Sequence, residues 1–222
     1  MFKLLYLALV LQTVVGTAVP ASWAQTVSAS ASAVSDQAQQ TPAGNFIQDI
    51  GNKAINVIKD KSLTQEQRNA KYHEILRNAF DLKTIGHFVI GHAWDTATPE
   101  QQQEYMKLFE DLVVKLYGDR ISLYSGENFH VKGVRSENDQ DIMVSSVIEH
   151  PGGAQPTTVD WRVRQKGGNL AIVDVIVEGV SQSVTQRQEY SSIIQRDGGK
   201  LDGLLATMRQ RVEGAPADAN KQ

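Results

Sequence analysis

The residue whose setting most suggests chemistry is Asp174, a carboxylate within an otherwise apolar segment. On the two-residue alternation of a strand, it is predicted to share a face with Leu170, Ile172 and Ile176. A carboxylate buried on such a face must be paired or hydrogen-bonded, because an unpaired buried charge is costly. Arg187 is the predicted partner, and this structural pair would join the last strand to the helix that follows. A general-base role would need an acid partner, and the sequence nominates none.

The other motifs that could carry chemistry are incomplete. His87 and His92 are five residues apart with Asp95 following, whereas histidines that bind metal from one helix are usually three or four apart. Residues 179–183 depart from the GxSxG motif at the fifth position, so Ser181 is expected to cap the next helix. The sequence contains no cysteine, which excludes disulfides, thiolate metal sites and cysteine nucleophiles. We therefore predict no metal, no cofactor and no catalytic residue.

Helices are predicted on both sides of a central strand region. Apolar residues recur at helical spacing over 46–58, 64–78, 81–90, 98–117, 185–196 and 200–212. The fourth helix has the clearest signals, because Thr98, Pro99 and Gln101 supply an N-cap, a first-turn proline and a capping-box glutamine. Gly91 is expected to end the third helix. The helices thus flank the part of the chain where the period changes.

The central region alternates with the two-residue period of half-buried strands. Strands are predicted over 129–136, 141–150, 159–164 and 170–178. Gly167 and Gly168 mark a hairpin between the last two strands. Helices, a meander of strands and then further helices predict an α+β fold. We expect a four-stranded twisted antiparallel sheet with N-terminal and C-terminal helices packed on it.

A curved sheet covered by helices can enclose an apolar cavity. The candidate lining on the helical side is Phe88, Trp94, Phe109, Leu112 and Leu116, with the inward side of the last two strands opposite. The alternative is that these residues form a solid core. Periodicity does not separate the two interpretations.

The ends of the chain have the pattern of an exported protein. Lys3, an apolar run over residues 4–15 and small residues up to Ala24 are typical of a secretory signal peptide. The run is shorter than the roughly 20 residues that cross a bilayer, which disfavours the alternative of an uncleaved anchor. The predicted location is the periplasm. The chain divides into a signal peptide, a flexible leader, one domain and a polar tail, with predicted bounds of 1–24, 25–45, 46–213 and 214–222.

Composition limits the classes of partner. The chain has 222 residues, of which 41% are hydrophobic and 21% charged, so it can fill the core of one domain. Its formal net charge is −3, and no basic run is present. Nucleic acid is therefore not an expected partner.

Three stretches, in order, carry a resemblance to a known family. They are Phe-Asp-Leu through Gly-His-Ala-Trp at 80–94, Thr-Pro-Glu-Gln through Leu-Tyr at 98–117, and Val-Asp-Val through Gly-Val-Ser to arginine at 173–187. Together they resemble the MlaC / toluene-tolerance family of periplasmic phospholipid-binding proteins, and residues 185–199 are also similar to HpnM proteins, which are encoded with hopanoid biosynthesis. Leu170 stands where the family often has tryptophan. The resemblance covers about residues 46–212.

The resemblance implies a lipid carrier that is not an enzyme. Such a carrier holds phospholipid acyl chains between sheet and helices, and moves lipid between an outer-membrane lipid complex and an inner-membrane ABC transporter complex of the Mla type. The HpnM-like features leave hopanoid as an alternative cargo, and a monomer is the simplest state for a soluble shuttle. The residues expected to bind lipid are Phe88, Trp94, Phe109, Leu112, Leu116, Tyr117, Val173, Val175, Val177, Tyr190 and Ile194.

Two other functions remain open from the sequence. An enzyme could use Asp174 as a base inside an apolar cavity. An adaptor would bind only other proteins and would have a solid interior.

Overall fold

The chain folds as a layer of helices against one antiparallel sheet. The computed structural model describes residues 41–121 and 126–214, without the side chains of 116–121 and of Lys166. The helices are α1 (Pro42–Lys59), α2 (Gln65–Ala79), α3 (Leu82–Ile90), α4 (Ala93–Thr96), α5 (Pro99–Ile121), α6 (Gln182–Arg196) and α7 (Asp202–Glu213). The strands are β1 (Asn128–Ser136), β2 (Asp141–Glu149), β3 (Thr157–Lys166), β4 (Asn169–Val177) and β5 (Val180–Ser181).

The sheet has five strands in chain order, all antiparallel. The mixed helix and antiparallel-sheet class is as predicted, but the prediction of four strands is wrong. The missed strand, β5, is only two residues long and pairs Val180 and Ser181 with the end of β4. A strand of two residues is too short to show the alternation of apolar and polar side chains from which strands are predicted. It forms because the chain reverses at Glu178 and Gly179, which have φ angles of 49° and 78°.

Helix α1 begins inside the segment that was predicted to be a leader. Thr41 caps it by accepting a hydrogen bond from the Gly44 N–H to Oγ1 at 3.0 Å, and Pro42 is in the first turn. Ala43 is only 2% exposed and packs in the core against the sheet. Helix α1 therefore begins before residue 46, the predicted start of the domain. That prediction relied on large apolar residues and overlooked Ala43, which is small.

The local signals at the other helix ends are confirmed. Thr98 N–H donates to Gln101 Oε1 at 3.0 Å, and Gln101 N–H donates to Thr98 Oγ1 at 3.3 Å, so the capping box at the start of α5 is complete. Gly91 ends α3 with a φ of 60°.

Apolar side chains form two separate cores. The helical core joins α3, α5, α6 and α7, and its buried members are Val89, Ile90, Tyr105, Leu108, Phe109, Tyr190, Ile193, Ile194, Leu201, Leu204, Leu205 and Met208. The sheet core lies between the sheet and α1 with the end of α2, and its buried members are Ala43, Ile47, Ala79, Val131, Val144, Val159, Val163, Ile172 and Val175. The two cores meet along β4, which α3 and α6 both contact.

A β-bulge in β4 reverses the face on which its later residues lie. Val163 pairs with Ile172, whereas the preceding Arg162 pairs with Asp174, so Val173 is the extra residue. Because one inserted residue shifts the alternation, Asp174 lies on the face opposite Ile172. The prediction that Asp174 shares a face with Leu170 and Ile172 is therefore wrong, and only Ile176 remains on its side.

The outer face of the sheet is held by ion pairs. Arg164 donates from Nε and Nη2 to the two carboxylate oxygens of Asp141 at 2.7 and 2.8 Å. The hydrogen bond from Arg164 holds the pKa of Asp141 below its ordinary value. Asp141 is 5% exposed, so this pair is shielded from water more than a surface pair would be.

Replacing Asp141 with Asn should lower the free energy of unfolding at neutral pH by about 1–3 kcal/mol, because Arg164 then loses its charged partner. The lowered pKa means that this contribution is present above the unfolded-state pKa and is lost as the pH falls toward the folded-state pKa. Urea unfolding of wild type and Asp141→Asn should therefore differ at pH 7 and converge in acid. Asp139→Asn, an exposed neighbour, is the control, and a wild-type advantage that persists in strong acid would contradict the ion-pair explanation.

Candidate functional site

The inner face of the sheet, which faces α1, has the form of an apolar binding surface. Alternation along the strands and the register between them bring Val144, Trp161 and Val175 side by side across three strands. The apolar residues on this face, buried or half-buried, are Phe129, Val131, Val134, Ile142, Val144, Ile148, Val159, Trp161, Val163, Leu170, Ile172, Val175 and Val177. A continuous apolar surface therefore spans four strands.

The helices cover this inner face only in part. Val131, Val144, Val163 and Ile172 are fully buried at its centre. Around them, larger side chains are only half-buried, namely Phe129, Ile142, Ile148, Trp161, Leu170 and Val177. Removing apolar area from water gains roughly 25 cal/mol per Å², so an apolar ligand that covered these side chains would complete their burial.

Trp161 is held in one orientation on this face. Its Nε1–H donates to Ser146 Oγ at 2.8 Å, and the Ser146 hydroxyl donates in turn to Val159 O at 2.9 Å. The Trp161 ring meets Phe129 edge to face, with 6.2 Å between centroids. The polar edge of the indole is thus satisfied inside the sheet, which leaves its carbon surface for packing.

Helix α1 is attached closely to the edge strand β1. The Gln48 side chain donates from Nε2 to Phe129 O at 3.3 Å and accepts from Val131 N at 3.1 Å, so it satisfies backbone groups at the open sheet edge. Gly51 allows the close approach, because a Cβ there would clash with the Phe129 ring. These contacts fix where α1 crosses the sheet.

A cleft of about 490 Å³ opens between the second half of α1 and the start of β1. Its lining is mainly polar and consists of Gln48, Asn52, Ile55, Asn56, Lys59, Glu127, Asn128, Phe129 and His130. Phe129 belongs both to this cleft and to the apolar inner face of the sheet. The polar cleft and the apolar face are therefore neighbours at one edge of the sheet.

The structure places the predicted lipid-binding residues in different parts of the molecule. Five of them belong to the helical core or pack against it, namely Trp94, Phe109, Leu112, Tyr190 and Ile194. Val175 and Val177 lie on the inner face of the sheet, whereas Val173 is the buried bulge residue and belongs to neither core. Leu116 and Tyr117 are in α5, but their side chains lie outside the described part of the chain.

Tyr105, in the helical core, has a hydrogen-bonded hydroxyl and a ring that packs against another aromatic ring. Tyr105 donates its hydroxyl to Gly86 O at 2.9 Å, and its ring stacks on Phe109 with 5.9 Å between centroids. Burial raises the pKa of the Tyr105 hydroxyl above its ordinary range. These contacts are those of a well-packed interior.

The two histidines near the end of α3 have different contacts. His87 stacks on Trp94 with 3.9 Å between ring centroids, whereas His92 Nδ1 is 3.0 Å from Asp95 Oδ2 at the surface. Within residues 41–121 and 126–214, no group of three histidine or carboxylate side chains is arranged to hold a metal ion.

The predicted pair of Asp174 and Arg187 does not form. Asp174 accepts hydrogen bonds from Ser181 Oγ at 2.6 Å and from Ser183 N at 3.1 Å, and Arg162 Nη1 is 3.7 Å away. The short strand β5 places Ser181 opposite Ile176 and so brings the start of α6 to this carboxylate. The predicted cap is confirmed, because the Val184 N–H donates to Ser181 Oγ at 3.1 Å.

Arg187 instead contacts α3. Its Nη1 donates to Phe88 O at 2.8 Å, and its guanidinium carbon lies 5.0 Å from the centroid of the Phe88 ring. A Cβ at Gly91 would be only 3.0 Å from Arg187 Nη2, so the glycine at the end of α3 leaves room for this side chain. Phe88 is 42% exposed and thus lies outside both cores.

Comparison with known proteins identifies the family. The family model for the MlaC protein matches residues 48–210, and the chain belongs to the MlaC family. The predicted resemblance is therefore confirmed.

Two curated relatives match part of the chain. Toluene tolerance protein ttg2D of Pseudomonas putida is 24% identical over 127 residues, which cover 54% of this chain and 59% of the relative. Intermembrane phospholipid transport system binding protein MlaC of Haemophilus influenzae is 23% identical over 133 residues, which cover 59% of this chain and 61% of the relative. The matches thus span about three-fifths of each relative's length.

A solved structure has a similar fold. It is the phospholipid-binding protein of Ralstonia solanacearum in complex with a phospholipid, with a TM-score of 0.66 and 22% sequence identity. The similarity covers 77% of this chain and 96% of that one.

Sequence reasoning missed several residues of the inner face, above all Phe129, Ile148 and Trp161. Their signal was present, because Val159, Trp161 and Val163 alternate with charged residues. The choice of Val173 with Val175 and Val177 assumed an unbroken strand. The bulge inserts Val173 as an extra residue, so the residues before and after it do not follow one continuous alternation.

Ser146→Ala should lower the free energy of unfolding by about 1–3 kcal/mol, because the Trp161 Nε1–H loses its acceptor inside the sheet. The change should also alter Trp161 fluorescence, and urea unfolding followed by circular dichroism measures the stability. Ser145→Ala, on the opposite face of the same strand, is the matched control. Equal stability of the two variants would show that the Ser146 hydroxyl does not hold the indole.

Proposed function

We propose that this protein is a periplasmic carrier that binds phospholipid acyl chains between the inner face of the sheet and the helices. The observation that carries the proposal is the half-buried apolar face around Trp161, in a chain of the MlaC family. The phospholipid bound to the Ralstonia protein of similar fold supports the choice of ligand.

The energetics of acyl-chain burial suit a carrier. Each buried methylene gains about 0.8 kcal/mol relative to water, so a sixteen-carbon chain gains on the order of 12 kcal/mol before ordering costs. A lipid in a bilayer is already in an apolar environment. Exchange between bilayer and protein is therefore close to balanced, and a docking complex can shift it in either direction.

In the proposed cellular role, the protein moves phospholipid between an outer-membrane lipid complex and an inner-membrane ABC transporter complex. The name of the Haemophilus relative, which describes an intermembrane phospholipid transport system, supports this role. The signal-peptide pattern over residues 1–24 supports a periplasmic location and lies outside the described residues. Among the helices that the structure describes, none has the length and apolar character needed to cross a membrane.

We propose a carrier without catalytic activity. Asp174 lies on the outer side of the sheet, and its two oxygens accept hydrogen bonds from Ser181 and Ser183. This geometry does not direct a base toward the apolar inner face. Hopanoid as an alternative cargo rests on sequence resemblance alone, and expression in a hopanoid-making host would test it.

Organic-solvent extracts of purified residues 25–222, exported in a lipid-producing host, should contain stoichiometric glycerophospholipid by mass spectrometry. Val177→Trp should reduce the bound lipid at least about twofold, because an indole would fill space beside the inner face. Ile176→Trp, one residue away on the outer side, is the matched control and should load normally.

The outcomes separate the hypotheses. Folded wild-type protein without lipid would contradict the carrier and favour an adaptor. Normal loading of Val177→Trp together with loss in Leu112→Trp would move the site to the helical core, to which Leu112 and several other predicted lipid-binding residues belong.

A further inference from the structure

We propose that exposed side chains around the start of α6 form a docking surface for a partner protein that presents apolar side chains and a carboxylate. This inference rests on the proposed function, because the docked partner would be a protein that exchanges lipid with the carrier. The α6 surface consists of Phe88 on α3, Val180 in β5, and Val184 and Arg187 on α6.

The large apolar side chains that are exposed in the described part of the chain all lie in this one place. Phe88 is 42% exposed, Val180 is 49% exposed and Val184 is 41% exposed. Val180 directly precedes the Ser181 cap, Val184 is in the first turn of α6, and Arg187 in the next turn stacks on the Phe88 ring. Single exposed apolar side chains are ordinary, whereas a cluster of them marks a site of interaction.

The α6 surface also carries a cation that has no carboxylate partner within the described residues. Arg187 donates from Nη1 to Phe88 O, and its guanidinium makes no ion pair there. A guanidinium has five N–H donors, so several remain for a partner. The carboxylates on neighbouring segments have partners of their own, namely Asp95, Glu178 and Glu189. The surface is therefore complementary to a carboxylate from another molecule.

The α6 surface adjoins the apolar inner face of the sheet. Val180 pairs with Val177, and directly paired residues lie on the same side of a sheet. Val177 is paired in turn with Val159, so this row of valines carries the inner face to its edge at β5. A partner docked at this edge would stand beside the end of the surface proposed to hold acyl chains. Lipid would then pass between the two proteins with little exposure of its chains to water.

The form of the α6 surface favours a protein that packs through side chains. Gln182 donates from Nε2 to Val180 O at 3.0 Å, which blocks the edge of β5 against an added strand. An anionic bilayer is usually bound by clusters of about four to eight basic residues, whereas this surface offers Arg187 alone. An aromatic ring beside an arginine is instead typical of the residues that dominate protein–protein interfaces.

The test is binding of residues 25–222 to the two complexes of the proposed function, the inner-membrane ABC transporter complex and the outer-membrane lipid complex, each purified in lipid nanodiscs. Biolayer interferometry measures the Kd, and empty nanodiscs of the same lipids measure binding to bilayer alone. Wild type should bind at least one complex. Phe88→Ala and Val184→Ser should each raise that Kd about fivefold or more, because each removes apolar contact area from the interface.

Substitutions of Arg187 test for the carboxylate of the partner. Arg187→Gln should raise the Kd about fivefold and remove most of the salt dependence of binding, because salt screens an ion pair at an exposed interface. Arg187→Lys should keep the salt dependence, and Arg187→Glu should bind more weakly than Arg187→Gln because it would repel a carboxylate. A merely structural role of Arg187 in holding α3 would leave the salt dependence of binding unchanged.

Lys83→Gln and Arg196→Gln are the matched controls, because both remove an exposed cation, from α3 and from α6, outside the α6 surface. Both should bind as wild type. Circular dichroism should show that every variant is folded. Wild-type phospholipid content by mass spectrometry should show that a raised Kd reflects weaker docking and not a loss of cargo.

Equal Kd values for wild type, Phe88→Ala and Val184→Ser would overturn the docking surface. So would binding of wild type to neither complex, or binding to empty nanodiscs that equals binding to the complexes. A salt dependence that is unchanged in Arg187→Gln would overturn the carboxylate partner. The proposed function has a separate readout, because a carrier that docks elsewhere would still contain phospholipid, whereas folded wild type without lipid would contradict the carrier itself.

Discussion

The position of α1 across the sheet determines both parts of the candidate site. The absence of a side chain at Gly51 lets the helix lie against the Phe129 ring, and the Gln48 amide ties the helix to the backbone of β1. So placed, α1 buries the centre of the inner face and leaves its periphery half-covered. The same placement opens the polar cleft beside its last turns.

The two cores have different physical roles. A face that is covered only in part forgoes roughly 25 cal/mol for each Å² of apolar area left in contact with water, so the fold needs stability from elsewhere. The helical core supplies it, with fully buried Tyr105, Leu204 and Met208 packed among α3, α5, α6 and α7. The hydrogen bonds from Ser181 and Ser183 to Asp174 join the start of α6 to β4. The inner face can therefore stay open without loss of the fold.

Local sequence signals predicted most of the helices and strands, whereas features that depend on strand pairing were not predicted. The capping box at Thr98 and Gln101 could be read directly, because it involves residues three apart. The extra residue at Val173 has no local signature, yet it reverses the face of Asp174 and removes Arg187 as its partner. The alternation predicted that the strands have one apolar face, but it did not predict which residues make up the inner face as a whole. Alternation indicates that a strand is half-buried without saying which helix covers it.

Acyl chains and headgroup contribute differently to recognition by such a molecule. On the proposed function, lipids with the same chains gain the same burial on the inner face, so burial contributes affinity and no discrimination. Discrimination between headgroups would have to come from polar contacts outside that face. Partly exposed ion pairs contribute about 0–1 kcal/mol, which corresponds to a preference of a few-fold. A carrier that must release its cargo is consistent with this division, because strong headgroup contacts would hold the lipid at each docking step.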